Sequence, residues 1–117
     1  MSDLARERCQ ATGSISPLPP GDAAQMLGAL DPAWELAEGT LRRHFQLSDF
    51  AAAFTLATGI ALLAEREGHH PDLHLGWGYL DVALSTHTAG GLTRNDFVMA
   101  AKIDRLAAGA SGVSGRP

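Results

Sequence analysis

The sequence predicts an α+β domain of two layers, in which helices cover one face of a four-stranded antiparallel sheet in the order α-β-β-α-β-β-α. Three observations lead to this fold class. Two pairs of short segments alternate apolar and polar residues around a turn, a long apolar segment separates the pairs, and an amphipathic segment follows the second pair. Helices that follow paired strands in this way pack onto one face of the sheet.

The length of the chain favours a single domain. A chain of 117 residues with 45% hydrophobic content can build one core but not two ordinary ones. Residues 12–21, TGSISPLPPG, have too little periodic apolar content to offset the entropy of ordering, so we expect residues 1–20 to form a mobile leader. We expect residues 21–108 to be the folded unit and 109–117, GASGVSGRP, to be a disordered tail.

The first elements are a short helix and a hairpin. Asp22 is a suitable cap for a helix that ends at Asp31-Pro32, with Met26, Leu27 and Leu30 on one face. Residues 34–36 and 40–47 then flank Glu38-Gly39 and predict two strands with one face toward solvent. His44 falls on that solvent face, and we assign it no role.

The central helix is the clearest element. Ser48 is a good N-cap, the helix is predicted over 49–67, and Gly68 suits the left-handed position that follows a helix. Apolar residues surround most of its girth. One face can pack on the sheet, and the rest predicts a self-association surface unless the first and third helices cover it.

A second hairpin and a last helix complete the fold. Residues 73–77 and 79–86 read as strands joined near Gly76 and Gly78. The last helix opens with a T-x-x-D capping arrangement from Thr93 to Asp96. Its predicted buried stripe consists of Phe97, Ala100, Ile103, Leu106 and Ala107.

Composition excludes several classes of function. Nine Lys and Arg against thirteen Asp and Glu give a formal charge of −4, which does not favour direct binding to nucleic acid. No apolar run approaches the roughly 20 residues that cross a bilayer, so we expect no membrane partner. The single cysteine, Cys9, cannot form an internal disulfide, and the opening MSDLARERCQ lacks the apolar core of a secretory signal. We therefore expect a cytoplasmic protein.

Four of the five histidines lie in residues 67–87, EGHHPDLHLGWGYLDVALSTH. Gly68 ends the long helix, and Pro71 keeps His70 out of the helical region, so His69 and His70 occupy an extended exit and point to opposite sides. His87 lies beyond the last strand, with Ser85 on the same nominal face. Binding residues commonly occupy such loop positions.

Three interpretations of this segment compete. A metal site would use His69, His70, His74 and perhaps His87, but Pro71 interrupts the helical spacing of ligands and no carboxylate pattern accompanies it. Acid-base catalysis requires a less exact arrangement of the histidines than a metal site does, because each imidazole can accept or donate a proton near neutral pH. Structural roles also remain open for single residues: a solvated carboxylate for Glu65, a helix cap for Asp96, a core or rim aromatic for Trp77. No residue resembles an activated nucleophile.

The spacing of the segment resembles the pterin-4a-carbinolamine dehydratase family. The signature reads Glu65, three residues, His69-His70-Pro71, five residues, Trp77, nine residues, His87, eight residues, Asp96, without a gap. The flanking stretches AWELAEGTLRRHFQLSDFAAAF and THTAGGLTRNDFVMAAKIDRLA are also similar, so the resemblance spans about residues 22–107.

The resemblance implies an enzyme that needs neither metal nor other cofactor and forms dimers or tetramers. The reaction would be loss of water from 4a-hydroxytetrahydrobiopterin, giving quinonoid dihydrobiopterin. His69, His70 and His87 would be the catalytic set, with His70 as the base near N5, His87 as the acid at the 4a-hydroxyl, and His69 protonating or orienting from the other side. Glu65 and Asp96 would orient the imidazoles, and Pro71 and Trp77 would border the substrate pocket.

Two departures and one alternative accompany the resemblance. Many members carry an aromatic residue where this chain has Leu73, and a tyrosine where it has Trp77. The family also includes binding proteins, among them a mammalian dimerisation cofactor of a transcription factor and bacterial relatives that assist Rubisco assembly. The alternative function is therefore an assembly or interaction protein of the same fold.

Overall fold

Two β-hairpins build the sheet in the computed structural model, which describes residues 3–110 and 112–113. Strands β1 (Glu35–Ala37) and β2 (Thr40–Gln46) join through Glu38 and Gly39, whose φ angles of 49° and 79° are those of a tight hairpin turn. Strands β3 (Asp72–Gly76) and β4 (Tyr79–Leu84) form the second hairpin. All neighbours in the order β1-β2-β4-β3 are antiparallel, which confirms the predicted sheet.

The register divides each strand between a buried and an exposed face. On the inner face Leu41 lies opposite Leu84, and Phe45 lies opposite Leu80; all four side chains are buried. The outer face carries polar residues, of which the pair His44 and Asp81 lies at the centre. The alternation read from the sequence therefore gives the correct face for these residues.

Helix α2 (Phe50–Glu67) follows the first hairpin and begins one residue later than predicted. Its N-cap is Asp49 and not Ser48, because the Asp49 carboxylate accepts the backbone N–H of Ala52 at 2.8 Å. The predicted end is confirmed: Gly68 has φ 69°, and its N–H donates to the Ala64 carbonyl. None of the helices that the structure describes has both the length and the apolar character needed to cross a membrane.

The long helix is only partly covered. Its buried face comprises Ala53, Leu56, Ala57, Ile60, Leu63 and Ala64. Phe50, Phe54 and Leu62 remain about half exposed or more, and the first two rings stack at 6.3 Å. The sheet and α3 therefore cover part of the apolar surface of α2, and a strip of large side chains stays exposed.

Helix α1 (Pro20–Leu27) starts two residues before the predicted cap. Asp22 is its third residue and makes no capping hydrogen bond, so the prediction of Asp22 as N-cap is wrong. Pro20 takes the first helical position instead, where a missing N–H costs nothing because that N–H has no helical partner. Leu30 lies beyond the helix end but is buried, as expected for the apolar face.

Helix α3 (Arg94–Ala108) has the predicted capping box and most of the predicted stripe. Phe97, Ala100, Ile103 and Ala107 are fully buried. Leu106 is the exception: it is 36% exposed and lies across from Gly59 on α2. A Cβ at position 59 would lie 3.1 Å from Leu106 Cδ2, so Leu106 occupies the rim where the two helices approach closely.

A buried ion pair joins α3 to the sheet. Arg43 lies on the inner face of β2, and its Nη1 is 2.6 Å from Asp104 Oδ1, which also accepts the indole N–H of Trp34 at 2.6 Å. Burial raises the pKa of Asp104 above its usual range, although the Asp31 N–H, Trp34 and Arg43 act in the opposite direction. This polar contact inside the core was not foreseen from the sequence.

The chain ends also contact the domain. A 3₁₀ turn, Leu4–Arg6, buries Leu4, and Val113 forms a bridge with Leu47. The boundaries predicted for the leader, the domain and the tail stay predictions. Residues 1–2 of the leader, and residues 111 and 114–117 of the tail, lie outside the described residues.

Candidate active site

The exit of α2 separates the two adjacent histidines. Gly68 turns the chain in the left-handed conformation, and the His69 N–H still bonds back to the Ala64 carbonyl at 3.3 Å. His69 is then 5% exposed, whereas His70 is 59% exposed. The expectation that the two rings point to opposite sides agrees with these surroundings, since one enters the protein and the other faces solvent.

The buried ring of His69 is held by Asp96. The distance from His69 Nε2 to Asp96 Oδ1 is 2.6 Å, and the Asp96 side chain is completely buried. The other oxygen, Oδ2, accepts the Thr93 N–H at 2.9 Å and the Thr86 hydroxyl at 2.8 Å. Asp96 therefore serves as the cap of α3 and as the partner of His69 at once, so the two interpretations of this residue are compatible.

Thr86 connects this network to the third histidine. Its hydroxyl lies 2.9 Å from that of Thr93, both side chains are buried, and the next residue is His87. One carboxylate thus ties together the exit of α2, the start of α3 and the segment that carries His87. Sequence reasoning missed Thr86, because its hydroxyl acquires a role only when the end of β4 meets the start of α3.

The exposed ring of His70 has its own carboxylate. His70 Nε2 lies 2.6 Å from Glu65 Oε2, and the Glu65 side chain is 75% exposed. Glu65 lies in the last turn of α2, so the turn at Gly68 folds His70 back against the helix that precedes it. A carboxylate at this distance orients an imidazole and stabilises the positive charge that it acquires on accepting a proton.

His87 opens a short 3₁₀ turn, His87–Ala89, after β4. Its ring is exposed, and its Nε2 is 3.3 Å from Ser85 Oγ. Both residues line a cavity of about 720 Å³ on the outer face of the sheet. His87 therefore lies in a loop, as the sequence predicted, and its side chain lines a cavity.

Two further histidines, His44 and His74, line the same cavity. His44 faces solvent as expected, His74 is also exposed, and each is a direct cross-strand partner of Asp81. His44 Nδ1 lies 2.5 Å from Asp81 Oδ1, and the His44 ring stacks on Tyr79 at 6.2 Å. His74 reaches β4 through the second hairpin, whereas His44 shares the cavity with His87 only because β2 pairs with β4, which no local pattern in the sequence specifies.

Pro71 and Trp77 occupy different parts of the second hairpin. Pro71 lies between His70 and the start of β3, next to the site. Trp77 lies in the β3-β4 turn. The Asp72 and Ala83 pair at the other end of the hairpin, next to the site, is four residue pairs from the last pair before the turn, which is roughly 13 Å along the strands. The Trp77 side chain is 73% exposed, and the length of the hairpin keeps Trp77 apart from His69, His70 and His87 within this chain.

The ligands considered for a metal site are dispersed. His69 contacts Asp96, His70 contacts Glu65, and His74 lies on the outer face of the sheet. Across residues 3–110 and 112–113, no group of three or more His, Cys, Asp or Glu side chains is arranged to hold a metal ion.

Known proteins are similar to this chain over most of its length. The model of the family described as pterin 4 alpha carbinolamine dehydratase matches residues 16–106. A relative from Methylococcus capsulatus is 43% identical over 106 residues, 89% of this chain and 92% of its own. One from Cupriavidus pinatubonensis is 46% identical over 99 residues, 83% of this chain and 84% of its own. Both carry the name pterin-4-alpha-carbinolamine dehydratase as a provisional assignment.

Two solved structures are similar to this chain. The transcriptional coactivator/pterin dehydratase from Brucella melitensis has a TM-score of 0.74 at 33% identity, covering 79% of this chain and 99% of its own. A pterin dehydratase-like protein identified as a RuBisCO assembly factor in the alpha-carboxysome has a TM-score of 0.55 at 27% identity, covering 68% and 93%. The chain therefore belongs to the pterin 4 alpha carbinolamine dehydratase family.

Proposed function

We propose that the protein removes water from 4a-hydroxytetrahydrobiopterin by general acid-base catalysis and so takes part in tetrahydrobiopterin recycling. The observation that supports this most directly is the pairing of His69 with Asp96 and of His70 with Glu65, each at 2.6 Å. An imidazole held by a carboxylate is suited to proton transfer where it is exposed, as His70 is, and to orientation where it is buried, as His69 is. Membership of the family supplies the substrate class.

The reaction needs one proton removed and one delivered. The base takes the proton from N5 of the pterin, the electron pair forms the N5–C4a double bond, and the C4a–O bond breaks as the acid protonates the oxygen. Water leaves, and quinonoid dihydrobiopterin remains. We assign the base to His70 and the acid to His87. Because both rings are exposed, solvent can return each to its starting state between turnovers.

His69 has the surroundings of an orienting group. It is almost completely buried and is engaged by Asp96, which is fixed in turn by Thr86 and Thr93. A fixed imidazole at this position can orient the substrate or stabilise charge without moving. We therefore propose that His69 acts mainly through position, and that Pro71 shapes the entry to the site.

The test is a stopped-flow assay of carbinolamine decay. Wild-type protein should accelerate dehydration, and His70→Gln and His87→Gln should each reduce kcat by about 10²–10⁴-fold, the usual contribution of a proton-transfer group. Arg105→Gln is the control, because Arg105 is an exposed cation on α3 that does not line the cavity beside His87. The proposal fails if wild-type protein gives no acceleration, or if Arg105→Gln costs as much as His70→Gln.

A second candidate is an assembly or interaction protein of the same fold. Its support is the likeness to the RuBisCO assembly factor, together with the exposed Phe50, Phe54 and Leu62 on α2. A partner captured equally well by wild-type protein and by a His70→Gln/His87→Gln variant would favour this role. Loss of capture on changing Phe54 to Lys would locate the surface.

Assembly into homodimers or homotetramers and a cytoplasmic location also belong to the proposal. Large apolar side chains are exposed on α2. Exposed apolar surface of this kind commonly forms subunit interfaces. Sedimentation should give a mass of two or four chains, and a mass of one chain would refute the oligomer.

A further inference from the structure

The segment formed by residues 4–11 contacts the middle of α3 and then reaches the end of α2 and the start of α3, next to the His69 and Asp96 pair. Leu4 is buried against the core, and Lys102 of α3 donates to the Ala5 carbonyl at 2.8 Å. The match to the family model begins only at residue 16. This segment therefore belongs to the folded structure but lies outside the residues that the family model describes.

Two consecutive residues of the segment bond to both helix ends. The Cys9 N–H donates to Glu67 Oε1 at 2.9 Å. The Gln10 N–H donates to Asn95 Oδ1 at 2.9 Å, and Asn95 Nδ2 returns a bond to the Gln10 carbonyl at 2.8 Å. Adjacent backbone groups thus bridge the last residue of α2 and the second residue of α3.

These anchor points are next to the site. Glu67 precedes His69 by two residues, and Asn95 directly precedes Asp96. The 2.6 Å contact between His69 and Asp96 depends on how the end of α2 lies relative to the start of α3. A link between Glu67 and Asn95 fixes the position of the end of α2 relative to the start of α3. Glu67 is two residues from His69 in the sequence, and Asn95 is one residue from Asp96.

The charges around Glu67 strengthen the tie. The Glu67 side chain is 6% exposed, with Lys102 Nζ at 3.6 Å and Arg8 Nε at 3.7 Å. Burial opposes ionisation of Glu67, but the Cys9 N–H, Lys102 and Arg8 outweigh it and lower its pKa. The Cys9 bond is therefore charge-assisted, which makes it stronger than a neutral one.

We propose that residues 4–11 form a positioning strap that ties Glu67 to Asn95 and thereby holds His69 in contact with Asp96. Cys9, Glu67 and Asn95 are positioning residues in this scheme, because they act through the pair and not on the substrate. The structural part of the proposal is independent of the reaction. Its consequence for catalysis rests on the proposed dehydratase function.

Reactivity of the Cys9 thiol reports whether the strap is docked. Burial, with the charge of Glu67 next in effect, raises the pKa of Cys9 to about 12. Since the thiolate is the reactive form, labelling of the folded protein with a disulfide reagent at pH 8 should be on the order of 10³-fold slower than that of an unhindered thiol. Release of the strap should remove most of this protection.

The experiment compares full-length wild-type protein with Glu67→Ala and Asn95→Ala, each of which removes one anchor. Asn95→Ala should label Cys9 at least roughly tenfold faster, and because it keeps the Glu67 charge, this change reports release of the strap. Glu67→Ala should also label faster, in part because it removes the charge that raises the pKa of Cys9. Glu67→Gln removes the same charge but keeps an acceptor for the Cys9 N–H, so slower labelling than in Glu67→Ala reports the hydrogen bond itself. The control is Arg6→Ala, because Arg6 is exposed and its ion pair is with Asp3, just before the segment, and not with either helix. This variant should label as slowly as wild type.

The contact between His69 and Asp96 is monitored by NMR, through the ¹⁵N resonances of the His69 ring in the same proteins. Glu67→Ala and Asn95→Ala should move the His69 signals, and Arg6→Ala should not. Faster labelling of Cys9 with unchanged His69 signals overturns the proposal, as does protection of Cys9 that neither anchor variant changes. If one anchor variant does not fold, as judged by circular dichroism, the other anchor variant and Glu67→Gln decide between these outcomes.

Kinetics separate this proposal from the proposed function. In an active enzyme, the anchor variants should reduce kcat by roughly 10- to 100-fold and shift its pH profile while KM changes little, because substrate contacts are intact. Glu67→Gln should recover part of the loss. If wild-type protein is not a dehydratase, the proposed function fails alone, and the labelling and ¹⁵N results still decide whether the strap positions the pair.

Discussion

Replacing Asp96 with alanine should destabilise the fold far more than the loss of an ordinary helix cap. The carboxylate is completely buried and lies within 2.9 Å of three groups: the His69 ring, the Thr86 hydroxyl and the Thr93 N–H. Typical N-cap removal costs about 1 kcal/mol. The additional cost here depends on which of the three groups finds another partner.

The structure allows that cost to be worked out. The Thr86 hydroxyl can turn to that of Thr93, 2.9 Å away, so it keeps a hydrogen bond. The Thr93 N–H and the His69 Nε2 lose their partner inside the protein. A buried polar group without a partner costs about 1–3 kcal/mol, so Asp96→Ala should lower the free energy of unfolding by about 2–6 kcal/mol. That is a large part of the roughly 5–15 kcal/mol that stabilises a typical domain.

Urea denaturation at fixed protein concentration measures this difference. With a slope near 1–3 kcal/mol/M, a loss of about 4 kcal/mol moves the midpoint by roughly 1–4 M. Asp96→Asn keeps the shape and one acceptor oxygen and should lose less, while Asp22→Ala, an exposed carboxylate in the first turn of α1, should change stability by less than about 1 kcal/mol. A loss below about 1 kcal/mol for Asp96→Ala would refute the reasoning, because it would mean that no buried group had been left without a partner.

Three further predictions concern other parts of the fold. Asp104→Ala should cost about 3–5 kcal/mol in denaturation experiments, because it leaves the buried Arg43 without its 2.6 Å partner. Gly68→Ala should lower the thermal midpoint by an amount equivalent to about 1–2 kcal/mol, since φ is 69° there and an L side chain is strained whatever the space. Glu67→Gln should flatten the pH dependence of stability in acid: the folded pKa of Glu67 lies below its ordinary 4.5, so its contribution is complete above about pH 4.5 and is lost as the pH falls through the folded value.

Each of these has a control or an opposing outcome. Adding Arg43→Met to Asp104→Ala should recover part of the loss, because it removes the unpaired guanidinium but leaves the Trp34 and Asp31 N–H groups without their acceptor. A double variant as unstable as the single one would contradict the ion-pair explanation. Gly13→Ala, also in open space but without a positive φ, should be nearly neutral, so an equal effect at both glycines would count against strain at Gly68. Parallel stability curves for wild type and Glu67→Gln between pH 6 and 3 would show that Glu67 is not the linked group.

Local patterns in the sequence predict most of the secondary structure. The turn at Glu38-Gly39 and the end of α2 at Gly68 each need a left-handed backbone, and the glycines at positions 39 and 68 indicate it. Helix starts are harder, because Ser48 and Asp49 are both good caps and only the geometry shows that Asp49 is used. Errors of this kind move a boundary by one or two residues and leave the fold class unchanged.

Contacts between distant segments are what the sequence does not reveal. Arg43 occupies a core position in the strand alternation, and only the approach of Asp104 from α3 makes its burial possible. Leu106 has the helical spacing of a core residue, yet close packing at Gly59 leaves it on the rim. The role of Thr86 and the strap across Glu67 and Asn95 also depend on tertiary contacts, so no local pattern contains them.

The double use of Asp96 has a consequence for telling enzymes from binding proteins of this fold. A member that gives up catalysis still needs a carboxylate there to keep α3 capped and Thr93 satisfied, so retaining Asp96 says little about activity. Glu65 is different: its side chain is 75% exposed, and its hydrogen bond among the described residues is to His70. Loss of Glu65 would leave the domain folded and remove only the partner of the exposed imidazole. The residue at position 65 is therefore more informative than the residue at position 96 about whether a related chain has dehydratase activity.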